Sequence, residues 1–237
     1  TINIDDNGRR HTVVPDETTP GSVWVFGGST VVGTGVNDAN TIPSLLAGKT
    51  GLKAVNFGGD NYIARQGVIR LLREYETNYA ENLIVVFYDG VNDVHVKCRV
   101  ENLDLVTDRQ AQIRSALGDN RAVQDASPIQ LFGPARVLVD KAFQRGVLGG
   151  PGKETDDLYV CDDSADRADQ VAQALVSDWK AAQAITETNG GRFVAILQPV
   201  SYLSDTRLDH LTPGAYDAEF AKQYSAVYPL IRSYASA

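Results

Sequence analysis

The 237-residue chain has no methionine, only three histidines and only two cysteines. Without a methionine it does not begin at a natural start, so it is expected to be a processed or recombinant piece of a longer protein. Cys98 and Cys161 lie 63 positions apart. No His or Cys stands at metal-ligand spacing from either, which argues against a zinc site; no cofactor is expected. The pair reads either as two buried thiols or as a disulfide. A bridge would contribute about 4 kcal/mol in the chain-entropy model and would imply an extracytoplasmic (periplasmic or secreted) compartment. Basic residues are outnumbered 22 to 30, giving a net charge of -8. That balance argues against nucleic acid or an anionic membrane surface as partner, since both select basic proteins. No apolar run approaches the roughly 18 residues of a membrane span. The charged start Thr1-Ile2-Asn3-Ile4-Asp5-Asp6 lacks the apolar core of a signal peptide. Internal repeats and low-complexity tracts are also missing.

What is present is the composition of a globular domain, 43% hydrophobic with 21 glycines, long enough for one large or two small cores. Residues 1–21 are polar, with Pro15 and Pro20, and read as a loosely packed lead-in to a domain over 22–237. Strand-like runs occupy 23–26, 52–57, 83–88 and 192–197. Between them, Thr41 can cap a helix through residue 49 with Pro43 in its first turn. Val68, Leu71, Leu72, Tyr75 and Tyr79 recur at helical spacing, as do Val171, Leu175, Trp179, Ala182 and Ile185 before the stop Asn189-Gly190-Gly191. A last helix from about Ala215 carries Tyr216, Phe220, Tyr224, Val227 and Ile231 on one face. Residues 94–164 break the alternation. They read as an insertion over the sheet edge with helices at 107–117 and 131–147, its base tied by Cys98–Cys161 if these are bridged. Strand–helix alternation predicts parallel strands and right-handed crossovers, a three-layer, doubly wound, flavodoxin-like α/β sandwich.

Two strands end in segments that carry chemistry. The first closes with Phe26-Gly27-Gly28-Ser29-Thr30 and the third with Tyr88-Asp89-Gly90-Val91-Asn92-Asp93. Both deliver polar side chains to the carboxyl edge of the sheet, where open α/β sheets bind ligands. A hydroxyl nucleophile and an amide donor meeting there are the minimum for acyl transfer. The glycines do not make a phosphate cradle: no lysine follows them, and their spacing is not Gly-x-Gly-x-x-Gly. Residue 31 is valine, so the Gly-x-Ser-x-Gly elbow is excluded as well. The plain structural alternative is a tight turn with Ser29 capping a helix.

Four blocks in order resemble the SGNH (GDSL-like) hydrolases. Phe26-Gly27-Gly28-Ser29-Thr30 resembles the nucleophile block in a Gly-Gly-Ser-Thr variant. Val55-Asn56-Phe57-Gly58-Gly59-Asp60-Asn61 with Gln66-Gly67 resembles the second, and Gly90-Val91-Asn92-Asp93 the third. Ile196-Leu197-Gln198-Pro199 with Tyr224-Ser225-Ala226-Val227-Tyr228-Pro229 resembles the fourth strand and the helix after it. The resemblance spans residues 22–93 and 165–235. It implies that Ser29 attacks an ester carbonyl, and that the oxyanion is held by the backbone N–H of Ser29, the backbone N–H of Asn61 and the Asn92 side chain. Asn61 stands where the family has glycine, and asparagine tolerates left-handed backbone better than most residues.

The resemblance also calls for Asp-x-x-His before the C-terminal helix, because serine needs a base. His11 falls in the lead-in, and His95 at the base of the insertion. His210-Leu211-Thr212-Pro213-Gly214 mimics the last block, but Arg207 stands where Asp is required, with Asp205 and Asp209 nearby. His210 also precedes the 224–229 helix, which in the family leads into a fifth strand. The base is therefore expected beyond Ala237, leaving four strands, an outer edge with exposed apolar side chains and feeble activity. The reading implied is a serine esterase of small acyl esters, such as O-acetyl groups on a saccharide. The rivals are a catalytically silent binding domain and a nucleotide-binding flavodoxin-like domain.

Overall fold

The computed structural model describes residues 1–15, 20–78, 80, 82–100, 159–201, 203 and 218–236. The helices expected at 107–117 and 131–147, Asp205, Asp209 and His210 lie outside the described residues. In chain order the elements are β1 (Ser22–Gly27), α1 (Ser29–Val32), α2 (Ile42–Thr50), β2 (Lys53–Gly58), α3 (Ala64–Thr77) and β3 (Leu83–Asp89). They continue with α4 (Val91–Lys97), α5 (Ala165–Thr188), β4 (Arg192–Leu197) and α6 (Ala218–Ala235).

The four strands pair in parallel in the order β2-β1-β3-β4. The fold is the expected doubly wound α/β sandwich. Buried parallel strands need apolar side chains on both faces, and the central strand β1 has them. Trp24 and Phe26 face one layer, while Val23 and Val25 face the other. Phe26 lies opposite Phe57 and Phe87 in the register, and the three rings pack at 4.9 and 5.0 Å. On that face α3, α5 and α6 contribute Leu71, Leu175, Trp179 and Ile231. On the other, Val31 and Ala47 of α1 and α2 cover Val23, Val25 and Ala54. The outer strand β4 turns Phe193 and Leu197 inward but leaves Val194 43% and Ile196 40% exposed.

Local signals were read at the right places. The Thr41 hydroxyl accepts from Ser44 N at 3.3 Å, with Pro43 in the first turn of α2. The α5 helix ends at Asn189, followed by Gly190 at φ +76°. Cys98 and Cys161 are bonded, the second of the two readings left open. The bridge ties the end of α4 to the segment before α5, and Val94, Val96 and both cysteines are buried in the domain. The flanks of the supposed insertion therefore belong to the core.

Part of the lead-in is tied to the domain. Ile4 and Arg10 form an antiparallel bridge. The Arg10 guanidinium is buried and donates to Asp38 Oδ1 at 2.6 Å, to Val36 O at 2.8 Å, and to Val32 O and Gly33 O at 3.4 Å. These carbonyls lie at and after the end of α1, so the arm clamps the turn that carries Ser29. Breaking a buried ion pair from one side leaves an uncompensated charge. Arg10→Ala is expected to lower unfolding free energy by about 3 kcal/mol, read from urea midpoints. A loss within experimental error would show that the arm contributes no clamp.

Candidate active site

The strand order reverses direction between β1 and β3, the switch point at which loops after adjacent strands diverge and open a crevice. Ser29 follows β1 and Asn92 follows β3, so the two sequence segments flank that point. Ser29 is the first residue of α1, and Gly28 is its N-cap. The Val31 and Val32 N–H groups both donate to Gly28 O, at 3.0 and 3.1 Å. Asn92 lies in the first turn of α4, and its Nδ2 donates to Tyr62 O at 2.8 Å. The amide sits hard against the serine turn: a Cβ built on Gly28 would stand 2.3 Å from Asn92 Nδ2. A side chain at position 28 would have to displace the Asn92 amide. Gly58 has the same role at the end of β2, where a Cβ would meet Val32 N at 2.5 Å.

Asn61 takes φ +58°, a left-handed conformation that asparagine tolerates better than most residues. The second block is built around this turn. Buried Asn56 donates from Nδ2 to Val31 O at 2.8 Å and accepts from Gly58 N at 3.0 Å, tying β2 to α1. Gln66 Oε1 accepts from Ile63 N at 3.0 Å and caps α3. The fourth strand closes the ring, since Gln198 Nε2 donates to Thr30 Oγ1 at 2.9 Å and its backbone N–H donates to Asp89 O at 2.7 Å.

Two clefts of about 470 Å³ each lie at this edge. One is lined by Ser29, Thr30, Thr34, Val36, Asn40 and Ile42. The other takes in Asn61, Asn92, His95, Ser201, Phe220 and Tyr224. A separate cavity of about 370 Å³ lies under the N-terminal arm near the start of β1 and β2, away from these residues. His95, expected at the insertion base, packs its ring 5.0 Å from Phe220 and meets the Tyr159 hydroxyl through Nδ1 at 3.1 Å. It also lines the cleft beside Asn92, a placement its position three residues along α4 could have suggested. His11 is exposed on the arm.

Behind the site lies a charged cluster that sequence reasoning missed. Asp89, Asp93, Lys97 and Asp178 are all buried. Burial first, then the Asp93 carboxylate, holds the Asp89 carboxyl well above the usual range, against the Trp179 indole N–H that donates to it at 3.3 Å. Burial likewise raises Asp178. A raised carboxyl contributes its full stability below the unfolded value of about 3.9 and loses it as pH climbs through the folded value. Asp89→Asn keeps an oxygen for Trp179 and carries no charge to bury. It is expected to raise the melting temperature at pH 8 and give no gain at pH 4. An equal shift at both pH values would show that Asp89 does not titrate in this way.

No protein-family model matches the chain, and no curated protein matches it. Solved structures do match. A lipolytic protein of the G-D-S-L family from Veillonella parvula DSM 2008 aligns over 42% of this chain and 74% of its own, at 11% identity and a TM-score of 0.29. AlinE4, an SGNH-hydrolase family esterase, aligns over 91% and 96%, at 13% identity and 0.36. LAE5, an alpha/beta hydrolase enzyme from the metagenome of Lake Arreo, Spain, aligns over 92% and 74%, at 15% identity and 0.40.

Proposed function

We propose that this protein is an SGNH-type serine hydrolase that cleaves small acyl esters, with O-acetyl groups on a saccharide as the expected substrate and an extracytoplasmic site of action. One observation carries the reading. The ends of β1 and β3 set the Ser29 turn against the Asn92 amide at the switch point of the sheet, and left-handed Asn61, which follows β2, lines the same cleft as Asn92. In the proposed step Ser29 Oγ attacks the carbonyl carbon and gives its proton to a base. The oxyanion forms against the N–H groups of Ser29 and Asn61 and the Asn92 amide. The tetrahedral species expels the alcohol, and water then releases the acid from the acyl-serine. Clefts on both sides leave room for a ring-sized alcohol as well as an acyl group. The Cys98–Cys161 bridge supports the compartment, because structural disulfides persist where conditions are oxidising.

The test is turnover of p-nitrophenyl acetate and acetate release from O-acetylated saccharides, with covalent capture of Ser29 by a fluorophosphonate. Turnover lost in His210→Ala would make that imidazole the base. A protein that binds saccharide but neither turns over ester nor takes the label would be the silent binding domain instead.

A further inference from the structure

Asn92 and Asn61 lie on different segments, and a hydrogen-bond donor set is useful only if the two are held in fixed relation. Two bonds join them back to back. Asn92 Nδ2 donates to Tyr62 O at 2.8 Å. The next residue, Asp93, accepts the Ala64 N–H at the start of α3 with both carboxylate oxygens, at 3.3 and 3.2 Å. Asp93 is fully buried, so its orientation depends on what else it touches. Lys97, one turn further along α4 and 1% exposed, donates from Nζ to Asp93 Oδ1 at 2.7 Å.

The lysine is itself fixed from the far side. Its Nζ is 4.0 Å from Asp178 Oδ2, and Arg65 holds the other Asp178 oxygen at 2.6 Å. Arg167 donates to the Lys97 carbonyl at 3.0 and 2.6 Å, securing the last turn of α4. A buried ammonium is costly unless paired. Its place behind Asn92 therefore needs a reason other than solvation.

We infer that Lys97 is a positioning residue, which locks the Asp93 carboxylate onto the Ala64 N–H and so holds the Asn61 and Asn92 donors in register with Ser29. It touches no substrate and acts through Asp93. The inference rests on the proposed hydrolase reading for its consequence in rate, but the geometric coupling stands apart from it.

Lys97→Met removes the charge and keeps the length. Loss of one oxyanion donor lowers rate by about 10²–10³, and a loosened one should cost about tenfold. The acylation rate of Ser29 by p-nitrophenyl acetate, counted per fluorophosphonate-titrated site, should fall by that factor with KM within about twofold. Asn92→Ala should then cost less in the Lys97→Met background than in the wild type, because residues acting as a unit are not additive. A merely structural lysine would lower the yield of folded protein but leave the rate per titrated site, and additivity with Asn92→Ala, intact. Either of those results overturns the inference. Should Lys97→Met not fold, Lys97→Leu, which likewise cannot donate to Asp93, carries the same cycle.

A wild type silent toward ester would sink the hydrolase reading and leave the geometry to be read by NMR. The Asn92 side-chain NH2 resonances, assigned by their loss in Asn92→Ala, should move in Lys97→Met. Unmoved resonances overturn the coupling.

Discussion

Ser29→Ala is expected to abolish both turnover of p-nitrophenyl acetate and capture by fluorophosphonate, while thermal unfolding stays as in the wild type. The separation follows from where the residue sits. Ser29 is only half-buried and starts a four-residue helix whose hold on the domain comes from other groups. Asn56 grips the helix at Val31, and Arg10 grips its C-terminal end. Removing the hydroxyl therefore removes a nucleophile and little packing. Asn92→Ala should lower kcat by about 10²–10³, the usual cost of one oxyanion donor. Because its amide also bonds Tyr62 O, that variant needs a melting curve beside the kinetics. Undiminished turnover in Ser29→Ala would mean that the hydrolysis belongs to another group, and the proposed mechanism would fall.

Removing the disulfide should be the largest change in stability. Cys98 and Cys161 enclose a loop with a sequence separation of 63, for which loop closure in the unfolded chain is worth about 4 kcal/mol. Both sulfurs are buried at the junction of α4 and α5, the helices that hold the charged cluster behind Asn92. The Cys98→Ser/Cys161→Ser variant is expected to unfold in urea at a free energy about 4 kcal/mol below wild type, and wild type with reductant should follow it. Equal midpoints with and without reductant, together with two free thiols by mass spectrometry, would refute the bridge and remove the support for an extracytoplasmic site.

The sequence alone determined the strands, the class of fold and the segments at the strand ends. Parallel strands buried on both faces read as unbroken apolar runs such as Val23-Trp24-Val25-Phe26 and Leu83-Ile84-Val85-Val86-Phe87, with no need to know their neighbours. Asn61 was legible for a similar reason: one residue's tolerance of left-handed backbone is a local property, and the chain adopts φ +58° there. Tertiary structure alone decided what the charged residues do. Nothing in the sequence marks Arg10 or Lys97 as buried, since such side chains are almost never fully buried unless paired. Their partners Asp38 and Asp178 are brought to them only by the packing of distant segments. Asp93 and Lys97 have the four-residue spacing of a helix ion pair, yet spacing cannot tell a surface pair from a buried one. The cysteines posed the same limit, because a bridge needs Cα atoms within about 7 Å, and theirs are 5.3 Å apart only once α4 and α5 have packed. Local conformation and hydrophobic period are written along the chain, whereas burial of a charge is a property of the surfaces that close over it.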